Sequence, residues 1–288
     1  MLEAFFQPAA DGGQRLYLHH APPDGTPVRA ALLYVHPWAE EMNKSRRMAA
    51  WASRQLASDG CAVLQIDLLG CGDSSGDFGD ASWEAWIDDL TTAARWLRAR
   101  YTDAPLWWWG LRAGALLARE AAASEGGKHH LLFWQPTLQG KSAWQQFLRL
   151  KAAAQLADGG GKALLDEARA DVAAGRSVTI AGYTVAPALA RSLENATLQP
   201  TPASAGGRLT WLELCSAAES PPSPAAVSAQ SAWQAEGWAT TLQAVRGPAF
   251  WQTTEIEDAP ALIQVTRDTL LAPDGLPPLP PFDYALAI

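Results

Sequence analysis

The sequence predicts an α/β protein with a mostly parallel, doubly wound sheet and an inserted helical cap. Apolar, strand-length runs alternate with helix-length segments in a regular order between residues 30 and 136. Runs of the same kind return at 208–214 and 238–245, after an interval of different composition. Such alternation is typical of parallel sheets covered by helices. A length of 288 residues allows one large domain of this class with an insertion.

Eight runs are predicted to be strands. The third, AALLYVH, is apolar throughout, as expected for a parallel strand covered on both faces. The first two are separated by Asp11-Gly12-Gly13, which is a turn signal. The predicted strands are 2–7, 14–20, 30–36, 61–67, 105–110, 130–136, 208–214 and 238–245.

Helices are predicted between these strands. One extends from about Lys44 to Asp59 and is ended by Gly60, and a second is capped near Ser82. In the second helix, apolar side chains fall mostly on one face, which predicts packing against the sheet. A third helix is predicted over residues 112–124.

Residues 137–207 are predicted to form the cap. They read as a helix (SAWQQFLRLKAAAQLA), a GGG break, a second helix (KALLDEARADVAAG) and a closing stretch, QPTPASAGG. An insertion here would cover the carboxyl ends of the strands, where α/β proteins bind ligands. The predicted division is a core of 1–136 and 208–270, the cap, and a proline-rich tail, 271–288.

Composition excludes several classes of function. The net charge of -8 and the pI near 5.1 argue against nucleic-acid binding, which needs a basic face. No run approaches 18 apolar residues, and the start MLEAFFQPAA predicts neither a membrane span nor a secretory signal. The three cysteines, Cys61, Cys71 and Cys215, lack metal-ligand spacing and predict a reduced, cytoplasmic protein with no metal or other cofactor.

The stretch WWWGLRAGALLA at 107–118 has the frame of a nucleophile elbow. A strand leads into Gly110-Leu111-Arg112-Ala113-Gly114, and a helix follows. In this frame, Gly-x-X-x-Gly, the central residue is normally the serine nucleophile. Here it is Arg112, whose guanidinium stays protonated and cannot attack a carbonyl.

Three segments resemble the α/β-hydrolase superfamily. They are YVHPWAEE (34–41), IDLLGCGDSSGDF (66–78) and WGLRAG (109–114), and VRGPAFWQTTEIEDAPALIQVTRDTL (245–270) is similar to the superfamily's last loop and helix. The resemblance implies the α/β-hydrolase fold. More narrowly, HPWAEEMNKSRR (36–47) and QQFLRLK (145–151) resemble the exosortase A system-associated hydrolase 2 family, which implies a role beside exopolysaccharide and protein-sorting systems.

The resemblance also implies a Ser, acid and His triad in that chain order. No histidine follows residue 130, and the matching loop, GPAFWQ, brings Phe250 or Trp251 to the position of the base. Glu219 falls near the position of the acid. With Arg112 in place of the nucleophile, the chain lacks an ordinary triad. We therefore assign no catalytic residue and expect no serine-hydrolase activity.

Arg112 has two open roles. Its guanidinium fork and nearby backbone N–H groups would suit a carboxylate or phosphate, or it would pair internally with Glu40 or Glu41. The charge-dense run at 40–47 and the loop tryptophans at the strand ends are further candidates, whereas His36 is expected to fix a turn. The candidate ligand-binding residues are His36, Trp38, Glu40, Glu41, Asn43, Arg46, Arg47, Arg112, Ala113 and Trp251.

These observations predict a degenerate α/β-hydrolase, a pseudoenzyme, that binds an anionic or carbohydrate-linked small molecule or a protein of an exosortase or exopolysaccharide system. Two alternatives stay open. One is a hydrolase or acyl transferase of the ester or thioester class that uses unconventional groups, for example water activated by Glu219. The other is a protein-interaction scaffold.

Overall fold

A mixed eight-stranded sheet forms the centre of the protein. The computed structural model describes residues 1–153, 161–204, 206–217 and 220–272. The strands are β1 (Leu2–Pro8), β2 (Gln14–His20), β3 (Ala30–Val35), β4 (Cys61–Ile66), β5 (Leu106–Leu111), β6 (His130–Trp134), β7 (Val178–Ile180), β8 (Tyr183–Val185), β9 (Arg208–Cys215) and β10 (Ala239–Arg246). The helices are α1 (Glu40–Ser58), α2 (Trp83–Arg100), α3 (Gly114–Glu125), α4 (Gly140–Ala153), α5 (Gly161–Ala173), α6 (Pro187–Asn195), α7 (Pro224–Ala235) and α8 (Pro260–Leu271).

The order of the sheet is β1-β2-β4-β3-β5-β6-β9-β10. The β1–β2 and β2–β4 pairs are antiparallel and the remaining pairs are parallel. All eight strands of this sheet fall where the sequence predicts them, so the mostly parallel α/β architecture is confirmed.

Helices cover both faces of the sheet and divide the core into two layers. Along β3, Leu33 and Val35 pack with α2 and α3, while Leu32 packs in the layer of α1 and α8. The tryptophans of β5 alternate in the same way, and Trp108 and Trp109 lie in opposite layers. Because both layers are buried, the strand WWW is continuously apolar.

Two predictions about local structure are wrong. Helix α1 begins at Glu40 rather than near Lys44, about one turn earlier, because the chain enters the helix directly from a turn at Ala39, where φ is 47°. This puts Glu40 and Glu41 in the first helical turn, where the helix dipole favours acidic side chains. The segment between β6 and β9 also holds more than two helices, since it adds the β7–β8 hairpin and α6.

The boundaries of core and cap remain a prediction. Residues 154–160, which include the end of the first predicted cap helix and part of the GGG break, lie outside the described residues, as does the tail from residue 273. Within the described part, α4 packs on α6 and α6 packs on α2. Helix α6 of the predicted insertion (the inserted segment, residues 137–207) therefore contacts the core at α2.

The turn from β5 to α3 keeps the backbone of a nucleophile elbow. Arg112 has a φ of 55°, in the left-handed region that a non-glycine residue rarely adopts. Its N–H donates to the Trp134 carbonyl at 3.0 Å, and its own carbonyl accepts from the Thr137 N–H at 3.1 Å. These bonds to neighbouring segments hold the strained residue in place.

Glycine is required on both sides of this turn. A Cβ on Gly110 would overlap the backbone of Ala115, and one on Gly114 would overlap the carbonyl oxygen of Val35. Backbone cannot move aside as a flexible side chain can. The elbow therefore depends on close contact between α3, β5 and the end of β3.

We expect Gly114→Ala to destabilise the protein by roughly 1–3 kcal/mol or more, because the added methyl group overpacks this crossing. Gly79→Ala is the matched control, since its Cβ would meet Thr184 Cγ2 at an ordinary 3.5 Å. Urea unfolding of both variants measures the difference. Equal stability of the two variants would contradict the packing argument.

Candidate functional site

The side chain at the elbow is engaged in an ion pair. Arg112 Nη2 lies 3.3 Å from Glu41 Oε1, and Arg112 Nε lies 3.4 Å from the same oxygen. The exposed fractions of the two side chains are 16% and 10%. Of the two internal partners considered from the sequence, Glu41 is the one in contact. The ion pair therefore stands at the central position of the elbow frame, where a serine is normally found.

A glutamine from the inserted segment completes this pair. Gln146, on α4, accepts a hydrogen bond from Arg112 Nη2 at 3.1 Å through Oε1. Its Nε2 donates to Glu41 Oε1 at 3.4 Å. The contacts thus join the elbow, the start of α1 and the inserted segment in one network.

Trp251 lies where the resemblance expects the catalytic base. The guanidinium carbon of Arg112 is 5.2 Å from the centre of its ring, within the range of a cation–π contact. Phe250 instead packs edge-on against Trp134. Of the two residues predicted at the position of the base, Trp251 is therefore the one in contact with Arg112. Glu219 lies outside the described residues. We refer to Arg112, Glu41, Gln146 and Trp251 as the elbow cluster.

Burial controls the charge of the acidic residues. Desolvation raises the pKa of Glu41, and Arg112 opposes this rise through its charge and its hydrogen bond. Burial likewise raises the pKa of Glu40, whose Oε2 is buried without a hydrogen-bond partner. Arg112 consequently favours the ionised form of Glu41, so the charge of one side chain is coupled to the presence of the other.

His36 adopts a local, structural role. Its Nδ1 contacts the Pro37 carbonyl oxygen at 2.9 Å, and its Nε2 is buried without a partner. Burial lowers its pKa, so the ring is neutral near pH 7. These contacts agree with a residue that fixes the turn after β3.

Trp38 packs in an aromatic cluster instead of facing a ligand-sized space. Its ring makes edge-on contacts with Phe78, Trp86 and Phe147, at centroid distances of 5.4, 5.7 and 5.8 Å. Trp38 and Trp251 are both buried. Neighbouring aromatic rings pack against Trp38, and the guanidinium of Arg112 lies over Trp251. A ligand-binding role for the two tryptophans stays a prediction.

The charged run that follows Glu41 is divided among separate contacts. Arg46 pairs with Asp67 at 3.0 Å, Arg47 forms a bidentate pair with Asp258 at 2.8 Å, and Asn43 Nδ2 donates to the Tyr183 hydroxyl at 3.2 Å. These contacts tie α1 to the loop after β4, the segment before α8 and the β7–β8 hairpin. The structure therefore brings Glu41, Arg112 and Trp251 together but directs Arg46, Arg47 and Asn43 to other partners.

Two small cavities lie near the candidate residues His36, Trp38, Arg46 and Ala113. Within the described ranges, the two best-formed cavities each measure about 10 Å³, room for about one water molecule. One lies between His36, Arg46 and Asp67, and the other lies beneath Trp38 and Ala113. Over the same part of the chain, no three His, Cys, Asp or Glu side chains are grouped as metal ligands, and no helix is both long and apolar enough to cross a membrane.

Sequence reasoning missed Gln146 as a site residue. A signal was present, because Gln146 belongs to QQFLRLK and Glu41 belongs to HPWAEEMNKSRR, the two segments that carried the narrower resemblance. The structure brings both segments to Arg112. The two segments contact each other through Gln146 and Glu41, which are 105 residues apart in the sequence. A local sequence pattern cannot predict a contact over that separation.

Comparisons with known proteins agree on the fold. A family model described as serine aminopeptidase, S33, matches residues 26–161. No curated protein matches the chain.

Solved structures of hydrolases resemble the whole chain at low identity. An α/β serine hydrolase without a lid from Xanthomonas campestris is 15% identical, with a TM-score of 0.54, and the match covers 93% of this chain and 91% of that one. A thermostable carboxyl esterase from Bacillus coagulans, in complex with glycerol, is 14% identical, with a TM-score of 0.59 and coverage of 85% and 90%. The thioesterase domain from the curacin biosynthetic pathway is 16% identical, with a TM-score of 0.51 and coverage of 94% and 100%.

At these identities the structural matches establish the fold. Together with the elbow backbone and the family match over residues 26–161, they support one assignment. The chain has the α/β-hydrolase fold.

Proposed function

We propose that this chain is a non-hydrolytic α/β-hydrolase, a pseudoenzyme whose elbow cluster recognises a polar group of a ligand or partner. The observation that carries the proposal is the engagement of Arg112 with Glu41 at the position of the nucleophile. Acyl transfer by a serine hydrolase needs a nucleophile and a base that takes its proton. A guanidinium offers no lone pair for attack, and the indole of Trp251 is a hydrogen-bond donor only.

The charge of the cluster favours a neutral ligand over a free anion. Arg112 alone would attract a carboxylate or phosphate, as the sequence led us to expect. Glu41 cancels most of that charge, and an incoming anion would have to displace a carboxylate already in place. Of the anionic and carbohydrate-linked ligands considered, we therefore favour the carbohydrate-linked class.

The wider setting is a proposal from resemblance. HPWAEEMNKSRR and QQFLRLK are similar to segments of the exosortase A system-associated hydrolase 2 family. On that ground we propose a cytoplasmic accessory role beside an exopolysaccharide or exosortase system, with the inserted segment acting as a cap. A partner protein of such a system would meet the same surface.

A second candidate is a hydrolase or acyl transferase of the ester or thioester class. Its support is the preserved elbow backbone, with φ of 55° at Arg112, beside a carboxylate of raised pKa. The similarity to an esterase and a thioesterase domain is compatible with it. Against it, Glu41 Oε1 already accepts from Arg112 and Gln146, which weakens it as a base.

The first prediction concerns reactivity. A fluorophosphonate probe should leave the purified protein unlabelled, and p-nitrophenyl esters should hydrolyse at the rate seen in buffer, because nucleophile and base are both replaced. A serine esterase assayed in parallel is the positive control. Stoichiometric labelling of any serine would overturn the non-hydrolytic proposal in favour of the second candidate.

The second prediction concerns Arg112→Ser. We expect this variant alone to stay at the buffer rate with p-nitrophenyl acetate, because the hydroxyl has no base and the remaining oxyanion site helps only modestly. Adding Trp251→His supplies an imidazole that faces the elbow, and only this double variant should exceed the buffer rate. Adding Phe250→His is the matched control, since Phe250 packs against Trp134 instead. Robust activity of the single variant would reveal an unrecognised base.

The third prediction concerns stability and pH. Folding raises the pKa of Glu41 above its ordinary 4.5, so the contribution of this group to stability is fully present below that value and is lost as pH rises through the folded-state pKa. Arg112 opposes this loss. We expect Arg112→Ala to cost about 3–5 kcal/mol near neutral pH, where it leaves a buried carboxylate unpaired, and much less near pH ~4, where Glu41 is protonated.

Urea unfolding of the wild type and variant at both pH values measures this effect. Arg112→Ala combined with Glu41→Gln is the control, since it removes the stranded charge and should recover most of the stability. A cost that does not change with pH would contradict the assignment of Glu41 as the partner.

A further inference from the structure

The side-chain amide of Gln146 occupies the elbow cluster in the manner of a ligand. Its oxygen accepts from Arg112 Nη2 at 3.1 Å, and its nitrogen donates to Glu41 Oε1 at 3.4 Å. The two groups it bridges are themselves in contact at 3.3 Å. The amide thus closes a ring of hydrogen bonds between a cation and an anion.

The geometry selects for a neutral amide. A guanidinium only donates hydrogen bonds and a carboxylate only accepts them, so the site offers one donor and one acceptor side by side. A carboxamide presents the complementary acceptor and donor in one plane. A carboxylate in the same place would turn an oxygen toward Glu41, and an ammonium would turn hydrogens toward Arg112. The carboxylate would lose the hydrogen bond to Glu41 and be repelled by its negative charge. The ammonium would lose the hydrogen bond from Arg112 and be repelled by its positive charge.

We infer that the elbow cluster is a recognition site for a neutral carboxamide group and that Gln146 is its internal occupant. This inference rests on the proposed function, because it specifies what a non-hydrolytic elbow would bind. The group would be the side-chain amide of an asparagine or glutamine of a peptide, because a primary carboxamide carries one N–H on the same side as its carbonyl oxygen. The acetamido substituent of an amino sugar is a trans secondary amide, and its N–H points away from the carbonyl. Arg112 would bind the carbonyl oxygen of the primary amide, and Glu41 would bind its N–H.

Exchange of Gln146 for a ligand preserves the hydrogen bonds of the cluster. Gln146 is only partly buried and belongs to α4 of the inserted segment, whereas Arg112 and Glu41 are fixed by the elbow and by α1. A ligand amide would replace the two bonds of Gln146 one for one, so the cation and anion stay satisfied throughout. The affinity of the wild type is reduced by the fraction of molecules in which Gln146 occupies the site.

Gln146→Ala tests the inference by removing the internal amide. The atoms deleted correspond to those of acetamide, so acetamide at about 50 mM should raise the melting temperature of this variant through mass action. Acetate, which has the same shape but an anionic charge, should not. We expect acetamide to bind Gln146→Ala at least about tenfold more tightly than the wild type, because the variant has no internal competitor.

Three variants serve as controls. Gln145→Ala removes the neighbouring glutamine of α4 and should respond to acetamide as the wild type does. Gln146→Met keeps a long side chain in the site without an amide and should abolish the response. Gln146→Ala combined with Glu41→Ala should also abolish it, because the acceptor for the ligand N–H is gone. N-acetylglutamine amide, which carries a primary amide, should stabilise Gln146→Ala, whereas methyl N-acetylglucosaminide, whose trans amide turns its N–H away from the carbonyl, should not.

Two results would overturn the inference: no acetamide response in Gln146→Ala, or acetate binding as tightly as acetamide. Saturation-transfer NMR of the wild type with acetamide and acetate provides a second measurement if the variant does not fold, and preference for acetate there would overturn it equally. These outcomes are separate from failure of the proposed function, which fluorophosphonate labelling reports. A chain that is inert to the probe and indifferent to acetamide would remain non-hydrolytic but lose this ligand class.

Discussion

The permanent charge of Arg112 is the constraint around which the site is built. The elbow backbone fixes its Cα in a left-handed turn at the carboxyl end of β5, with the inserted segment above it. A largely buried guanidinium costs several kcal/mol unless it is paired and hydrogen-bonded. Glu41, Gln146 and the ring of Trp251 meet that requirement from three separate parts of the chain. The face of the Trp251 ring suits this cation, because an aromatic face attracts a guanidinium and carries no charge of its own.

The sequence predicted the sheet better than the site because strands follow local rules. Runs such as AALLYVH and PLWWWG are apolar at every position, and burial on both faces of a parallel strand requires that pattern. The β7–β8 hairpin and α6 escaped prediction because they are short, with two strands of three residues and a helix of nine. The start of α1 was misplaced because the charged run at 40–47 resembles a loop, whereas its side chains pair across the fold.

The candidate residues were predictable only where a local sequence motif marks them. Arg112 and Trp251 could be identified from the frame of a motif and from the missing histidine. Glu41 was one of the two partners that the sequence suggested for Arg112. The carboxylates that pair with Arg46 and Arg47 could not be identified, because they lie 21 and 211 residues away in the sequence. Three residues of the charged run at 40–47 therefore take part in three separate ion pairs, which are Arg112–Glu41, Arg46–Asp67 and Arg47–Asp258. Only one of them lies at the elbow.

Preservation of the elbow frame does not itself indicate catalysis. Gly110 and Gly114 are required by backbone contacts to Ala115 and to the end of β3, and these contacts would exist whatever side chain stood between them. The packing of α3 against the sheet thus determines that both positions are glycine, while the chemistry of the site determines the residue between them. A change from serine to arginine can occur without disturbing the frame, provided that a partner such as Glu41 neutralises the new charge. The motif therefore reports the architecture of the turn, and the function must be inferred from what Arg112 contacts.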